Sequence, residues 1–507
     1  MKPIEKSKKI KFLIFLIFTV IFFSCTKENT KNTDNTLKIA QSGNPRSLDV
    51  HNANDGFSLR INKQIYSRLV EIDGDRNIIP GLAESWNKVD DRTYDFKIRD
   101  NIKFHNGDKL QLEDIKFSFE RMMKSPRISF IVPPIEKIEI VEPNTIRIVT
   151  KTPFAPLLYH LSHPALGIVS KKVIESSGEN PKIVGTGPYK YNSWIIGDQV
   201  VLDKNNDYFL TPPSFDKLIF KTITEPTNRE IALETKEIDV ALDISTVDAS
   251  KIKENSDLVL YTKPSYSYRY LGFNNKKDVF KNENLRKAID YAIDKEAVVN
   301  IILNGYGDVA NSVIAPNVFG FTDTVKNVGY NPEKAKELMK SLGNEGDITL
   351  ELLTMGSSDE KAIAEVIQAN LKEIGVDLKI NIVESGTFYD LTEKGFFDMF
   401  LGSWGTVTGD ADYGLYPMFH SKSIGSPGNR SFYSNETVDK LLDAGKTTVV
   451  QSERLKIYQQ AQEQIIKDTP HVMLYNSVII VGAQKDLKGL NIHPVTLHDF
   501  YSLYREN

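Results

Sequence analysis

Residues 348–382 constrain the fold more tightly than any other stretch of the chain. Ile348, Leu350 and Leu352 alternate with polar neighbours as a half-buried strand. Ala362, Ile363, Val366, Ile367 and Leu371 then recur at helical spacing up to Gly375, and Val376 to Ile382 reads as a second strand. Strand, helix, strand at this separation requires a parallel pairing closed by a right-handed crossover. The chain therefore contains an α/β layer.

A second organised stretch runs from Gly81 to Met123. Tyr94, Phe96 and Ile98 alternate with Thr93, Asp95 and Lys97 as a strand with one buried face. Turn residues at Asp100-Asn101 and Asn106-Gly107-Asp108 bracket Ile102 and Phe104, which read as a further short strand. Ile115, Phe119 and Met122 follow at helical spacing, with Glu113 and Asp114 in the first turn, where the helix dipole favours acids. This part of the chain predicts an antiparallel sheet backed by a helix, so the fold class is mixed α/β.

At 507 residues the chain is too long for one core. Its formal charge is -4, and lysines crowd the N-terminus, so the body is more acidic still; nucleic acid is excluded as the main partner. Cys25 is the only cysteine, which leaves no intrachain disulfide. Five lysines up to Lys11 precede an apolar run from Phe12 to Phe23. Twelve helical residues cover about 18 Å, short of the roughly 30 Å of a hydrocarbon core. Residues 1–24 thus read as an export signal. Ser24-Cys25 resembles a bacterial lipobox, implying cleavage before Cys25 and lipid on its thiol. Residues 25–35, rich in Asn, Thr and Lys, read as a flexible tether.

Further landmarks follow in order. They are Gly185-Thr186-Gly187-Pro188-Tyr189 ahead of a strand, a helix over Ile231 to Val240, and a strand with an aromatic face at Tyr266, Tyr268 and Tyr270. Arg286-Lys-Ala-Ile-Asp-Tyr-Ala-Ile-Asp294 is helical, and Tyr475 to Val481 reads as a last buried strand. Together with Leu82-Ala83-Glu84-Ser85-Trp86 and Lys103-Phe104-His105-Asn106-Gly107-Asp108, these motifs closely resemble the family 5 extracellular solute-binding proteins, receptors of ABC importers. Lys236 departs from the pattern, standing where that family usually has Gly. The resemblance implies a class II periplasmic-binding fold of three lobes, with the ligand cleft between lobes I and III. Lobe I would comprise 36–70, 180–268 and 476–507, lobe II 71–179, and lobe III 269–475.

No His-Glu-x-x-His or Gly-x-Ser-x-Gly motif occurs, the eight histidines show no ligand spacing, and Ser250-Lys251-Ile252-Lys253 lacks the partner motifs of a β-lactamase. Neither an enzyme, a metal site nor a cofactor is expected. The most ligand-like stretch is Ser403 to Tyr413, at a strand end in the α/β region. Trp404 offers a broad face, and Thr406 and Thr408 offer hydroxyls. In the dipeptide and oligopeptide receptors an Asp three residues after this Trp holds the ligand amine; here that position is Val407. Asp410 and Asp412 remain as acids, Asp410 the expected amine contact and Asp412 a cap for the segment after it. Tyr413, Tyr266, Tyr268 and Asn54 complete the expected ligand-binding set. The stretch, with Ser431 to Asn435, looks most like the glutathione-type receptors. The implied protein is a monomeric, lipid-anchored receptor facing the periplasm or cell exterior, passing a small peptide-like ligand to ABC permease subunits. A metal-chelate (nickel-type) or glycan ligand, or an adhesin on the same fold, are the alternatives.

Overall fold

The computed structural model describes residues 35–178, 182–343, 348–425 and 428–506; the expected export signal, Cys25 and nearly all of the expected tether lie outside them. Residues 37–507 form one compact unit. An eleven-stranded mixed sheet runs through it. At one edge Val376–Ile382 pairs with Ile348–Thr354, parallel and in register from Ile348 opposite Val376 to Thr354 opposite Ile382. The helix Ser358–Lys372 makes the crossover, burying Ile363, Ile367 and Leu371 against Leu350, Leu352 and Leu378. Met399–Gly405 comes next, then the two longest strands, Leu258–Phe273 and His471–Gln484, which are antiparallel to each other. Beyond them lie Val240–Ala241, Thr36–Gln41, Lys217–Thr222, Gln199–Lys204 and Tyr189–Ile195, and the eleventh strand, Gly307–Val309, pairs with His471–Gln484 off this path.

A separate four-stranded antiparallel sheet holds Ala83–Lys88, Thr93–Ile98, Thr145–Thr150 and Ile135–Val141 in that order. The helix Leu112–Lys124 covers it, setting Ile115, Phe119 and Met122 against Phe96, Ile146 and Ile148. Asp114 secures the start of that helix by accepting from the Gln111 backbone N–H at 2.9 Å. Ile102 and Phe104 are buried but form no strand; a single bridge, Lys103 to Lys109, closes the turn, because the left-handed Gly107 reverses the chain too soon for a ladder.

Gly185 and Gly187 are needed for close approach. A Cβ on Gly187 would lie 2.5 Å from the Gln64 carbonyl oxygen, at the end of the helix Gly56–Ile65. The helix expected over 231–240 occupies Pro226–Glu234, and Lys236 follows it with φ of 61°. That is the left-handed region where glycine carries no Cβ penalty, which accounts for the family's usual residue there.

Several histidines are packed as neutral rings. Burial lowers the pKa of His51 and His105 to about 4 and of His163 and His471 to about 3. An unfolded imidazole takes up its proton near about 6.5. Below that pH the unfolded chain binds more protons than the folded one, so stability is lost as pH falls from about 6.5 towards 4. The melting midpoint should drop steadily between about pH 7 and about pH 5. A midpoint that stays flat or rises over that range contradicts the neutral packing of these rings.

Candidate functional site

The two long strands set the frame. Pro264 faces Val478 and Tyr268 faces Asn476, so three residues of one strand stand against one of the other. This break leaves backbone groups that need partners. The Tyr266 N–H donates to the Pro494 carbonyl at 3.0 Å, and Ser265 Oγ donates to the same oxygen. Past the break, Ser267, Tyr268 and Arg269 lie opposite Gly405, Trp404 and Ser403. The strand Met399–Gly405 thus delivers Trp404 to the point where the sheet changes register.

After Gly405 the chain turns tightly. The Thr406 N–H donates to the Tyr266 carbonyl at 3.0 Å, and Gly409, at φ of 67°, packs on Arg76 so closely that a Cβ would lie 2.9 Å from Arg76 Cδ. The helix Ala411–Phe419 follows. Trp404 Nε1 donates to the Tyr413 carbonyl at 3.0 Å, and the two rings stack at 5.6 Å and 26°. Tyr413 stacks in turn on Phe130 at 6.3 Å. Trp404 and Phe130 are half-buried at the two ends of this three-ring stack, whereas Tyr413, Tyr266 and Tyr268 are buried. Burial raises the pKa of all three phenols. The Thr406 hydroxyl and Tyr268 hydroxyl are buried without a hydrogen-bond partner among the described residues. Thr408 accepts from the Asp410 N–H at 3.3 Å.

Asp410, not Asp412, takes the capping role. Asp410 makes the helix cap, accepting from the Asp412 N–H at 3.0 Å. It is fully buried, and its two oxygens accept from Arg454 Nη2 at 2.9 Å and Nη1 at 3.1 Å. Burial works against the charge on Arg454, but Asp410 outweighs it and raises the guanidinium's pKa. The carboxylate expected to meet a ligand amine is therefore already held by an arginine. Asp412 points elsewhere, to His160 Nε2 at 3.0 Å from Oδ2. His160 Nδ1 lies 2.6 Å from the Ile131 carbonyl, tying the segment next to the four-stranded sheet to the helix Ala411–Phe419. A backbone bond from the Ala155 N–H to the Lys446 carbonyl, 3.0 Å, joins the former segment to the helix Glu436–Thr447 as well.

Asn54 is exposed in the loop ahead of Asp55, which caps the helix Gly56–Ile65, and no contact of the Trp404 group involves it. Three residues absent from the sequence reading belong to this region: Phe130, His160 and Arg454. His160 meets Asp412 across 252 positions, so no local spacing carries the signal. Among the described residues no group of three or more His, Cys, Asp or Glu is arranged to hold a metal ion, and no helix is long and apolar enough to cross a membrane.

Residues 77–426 match the profile of the bacterial extracellular solute-binding proteins, family 5 Middle. The chain is 30% identical over 475 residues to the Escherichia coli protein named "probable D,D-dipeptide-binding periplasmic protein DdpA", covering 90% of this chain and 92% of that one. It is 30% identical over 476 residues to the glutathione-binding protein GsiB of Salmonella typhimurium, covering 91% and 93%. The periplasmic binding protein DppA of Helicobacter pylori, solved with the peptide STSA, superposes with a TM-score of 0.87 at 29% identity, over 93% of this chain and 98% of that one.

Asp410→Asn should cost about 3–5 kcal/mol of stability, because it strips a buried arginine of its counter-charge. Denaturant unfolding measures this directly. A change under about 1 kcal/mol accompanied by lost ligand affinity would return Asp410 to the ligand.

Proposed function

Because the chain belongs to the bacterial extracellular solute-binding proteins of family 5, we propose that it is a lipid-anchored receptor that captures a peptide-like solute and hands it to the permease of an ABC importer. It performs no chemistry on its cargo. One observation carries the reading: a half-buried tryptophan stands at a register break between two long strands, beside segments that meet through side chains rather than through the sheet. Such a junction suits a hinge. In this reading residues 36–70, 180–268 and 476–507 form lobe I, 71–179 lobe II and 269–475 lobe III, and the solute lies between lobes I and III against Trp404. Relatives named for D,D-dipeptides and glutathione, and a neighbour solved with a four-residue peptide, support small peptide-like cargo.

Closure is driven only by interactions that favour the closed form. Moving that form from about 1% to about 99% takes about 5.5 kcal/mol of differential binding, within reach of an aromatic wall plus a few charged contacts. Tyr266, Tyr268 and Tyr413 support the wall from behind, and Thr406 and Thr408 shape the turn beside it. Val407 cannot meet an amine and Asp410 is committed to Arg454, so the receptor does not grip an ammonium at either place.

Native mass spectrometry of the protein as purified should find a bound peptide-like molecule. Trp404→Ala should weaken its binding at least about tenfold while costing less than the roughly 3–5 kcal/mol of a core tryptophan. Calorimetry and melting midpoints separate the two effects; affinity that persists in a strongly destabilised variant would make Trp404 a packing residue. Cys25→Ala should fold normally and fractionate as soluble protein. A wild type that takes up no lipid label removes the anchor from the proposal.

A further inference from the structure

A tight turn bridges the register break and the loop after Trp404. The hairpin of Val70–Ile72 and Ile78–Pro80 closes over residues 73–77, where Asp73 accepts from the backbone N–H groups of Asp75 at 2.9 Å and Asn77 at 2.8 Å. One side of this turn is fixed to a long strand. Lys263, next to Pro264 at the break, donates from Nζ to the Gly74 carbonyl at 2.9 Å. On the other side Arg76 reaches across. Its Cζ lies 5.3 Å from the ring centroid of Tyr159 and 5.7 Å from that of Phe319, and Nη2 donates to the Tyr159 hydroxyl at 3.3 Å. Its aliphatic stem packs on Gly409, in the turn after Trp404. Phe319 is bonded into that turn, its N–H donating to the Gly409 carbonyl at 2.9 Å and its carbonyl accepting from the Ala411 N–H at 2.8 Å.

The pose of Arg76 is unfavourable by itself. Its φ is 69°, in the left-handed region that strains any residue with a Cβ. Its Nε is buried without a hydrogen-bond partner among the described residues, a further cost. Surroundings must hold such a pose, and they come from stretches far apart in sequence, Tyr159 on one side and Phe319 with Gly409 on the other. A guanidinium between two rings gains from both π-faces, most where water is kept away. Phe319 is buried, and Arg454 Cζ also lies 4.9 Å from its centroid. Because Asp410 balances the charge of Arg454, the ring can take a second cation without strong repulsion.

We propose that Arg76 is a positioning residue for solute capture: seated between Tyr159 and Phe319 only when the two parts of the chain meet, it transmits the bend at the register break to the turn after Trp404. This rests on the receptor reading above, in which residues 71–179 and 269–475 belong to different lobes. Arg76 needs no contact with the solute in this role. It acts through Phe319 and Gly409, which fix the turn, and the turn fixes Trp404. When the parts separate, Arg76 loses Phe319 and relaxes from its left-handed conformation, and the turn is released with it.

Fluorine NMR of the full chain labelled with fluorotryptophan tests it. The chain has three tryptophans, Trp86, Trp194 and Trp404, and the Trp404 line is identified by its loss in Trp404→Phe. Arg76→Gln should shift or split the Trp404 line and leave the other two in place. Arg76→Lys, which keeps the charge, should restore part of the wild-type position, and Tyr159→Phe, which keeps the ring, should leave all three lines unchanged. If Arg76→Gln does not fold, Phe319→Leu removes the same contact from the other side and decides the matter by the same displacement. A Trp404 line left in place by the folded variant overturns the role. Equal displacement of all three lines overturns it too, since that marks a general loss of packing. A displaced Trp404 line in a protein that retains no peptide-like molecule by native mass spectrometry upholds the coupling and removes the receptor reading instead.

Discussion

The antiparallel pairing of Leu258–Phe273 with His471–Gln484 is the contact on which the rest of the body hangs. It runs from Leu258 opposite Gln484 to Gly272 opposite His471. Both strands are far longer than the usual five or six residues, because each serves two cores in succession. Val481 and Ala483 pack with Leu37, Ile39 and Phe220, whereas Leu271, Phe273, Val472 and Leu474 pack with Leu285, Ile289 and Leu352. One strand pair therefore couples two apolar clusters that never touch through a common helix. The break at Pro264 to Tyr268 falls between them, and Pro494 supplies the missing backbone acceptor.

Beside that break, the turn after Trp404 is held by the charge pair of Asp410 and Arg454. Burying Asp410 and Arg454 costs desolvation that only close, two-pronged geometry offsets. Phe319 closes the loop by bonding Gly409 and Ala411 on either side. Past the turn, Tyr413 lies stacked on the half-buried Trp404. A third cluster, running from Phe96 and Ile115 through Phe154 and Leu161 to Tyr413 and Tyr458, packs the segment near the four-stranded sheet against the helices after Trp404. The observed arrangement is thus a joined one, with His160 on Asp412 and Arg46 on Tyr389 among its links.

Local pattern alone determined much of the architecture. The period-2 run at Ile348 to Leu352, the helical run to Leu371 and the strand from Val376 could pair only one way, and they do. The alternation at Tyr94 to Ile98, the helix through Met122 and the aromatic face at Tyr266 to Tyr270 were legible for the same reason: side-chain periodicity is a short-range property. The odd residue at 236 was legible too, and its positive φ explains it. Tertiary structure decided the rest. Which aspartate caps a helix and which meets a histidine depends on Arg454 and His160, brought from 44 and 252 positions away. The grouping of Arg76, Tyr159 and Phe319 has no sequence signature, because such a cluster is created by the crossing of chain segments, and periodicity within one segment carries no information about which other segment it will face.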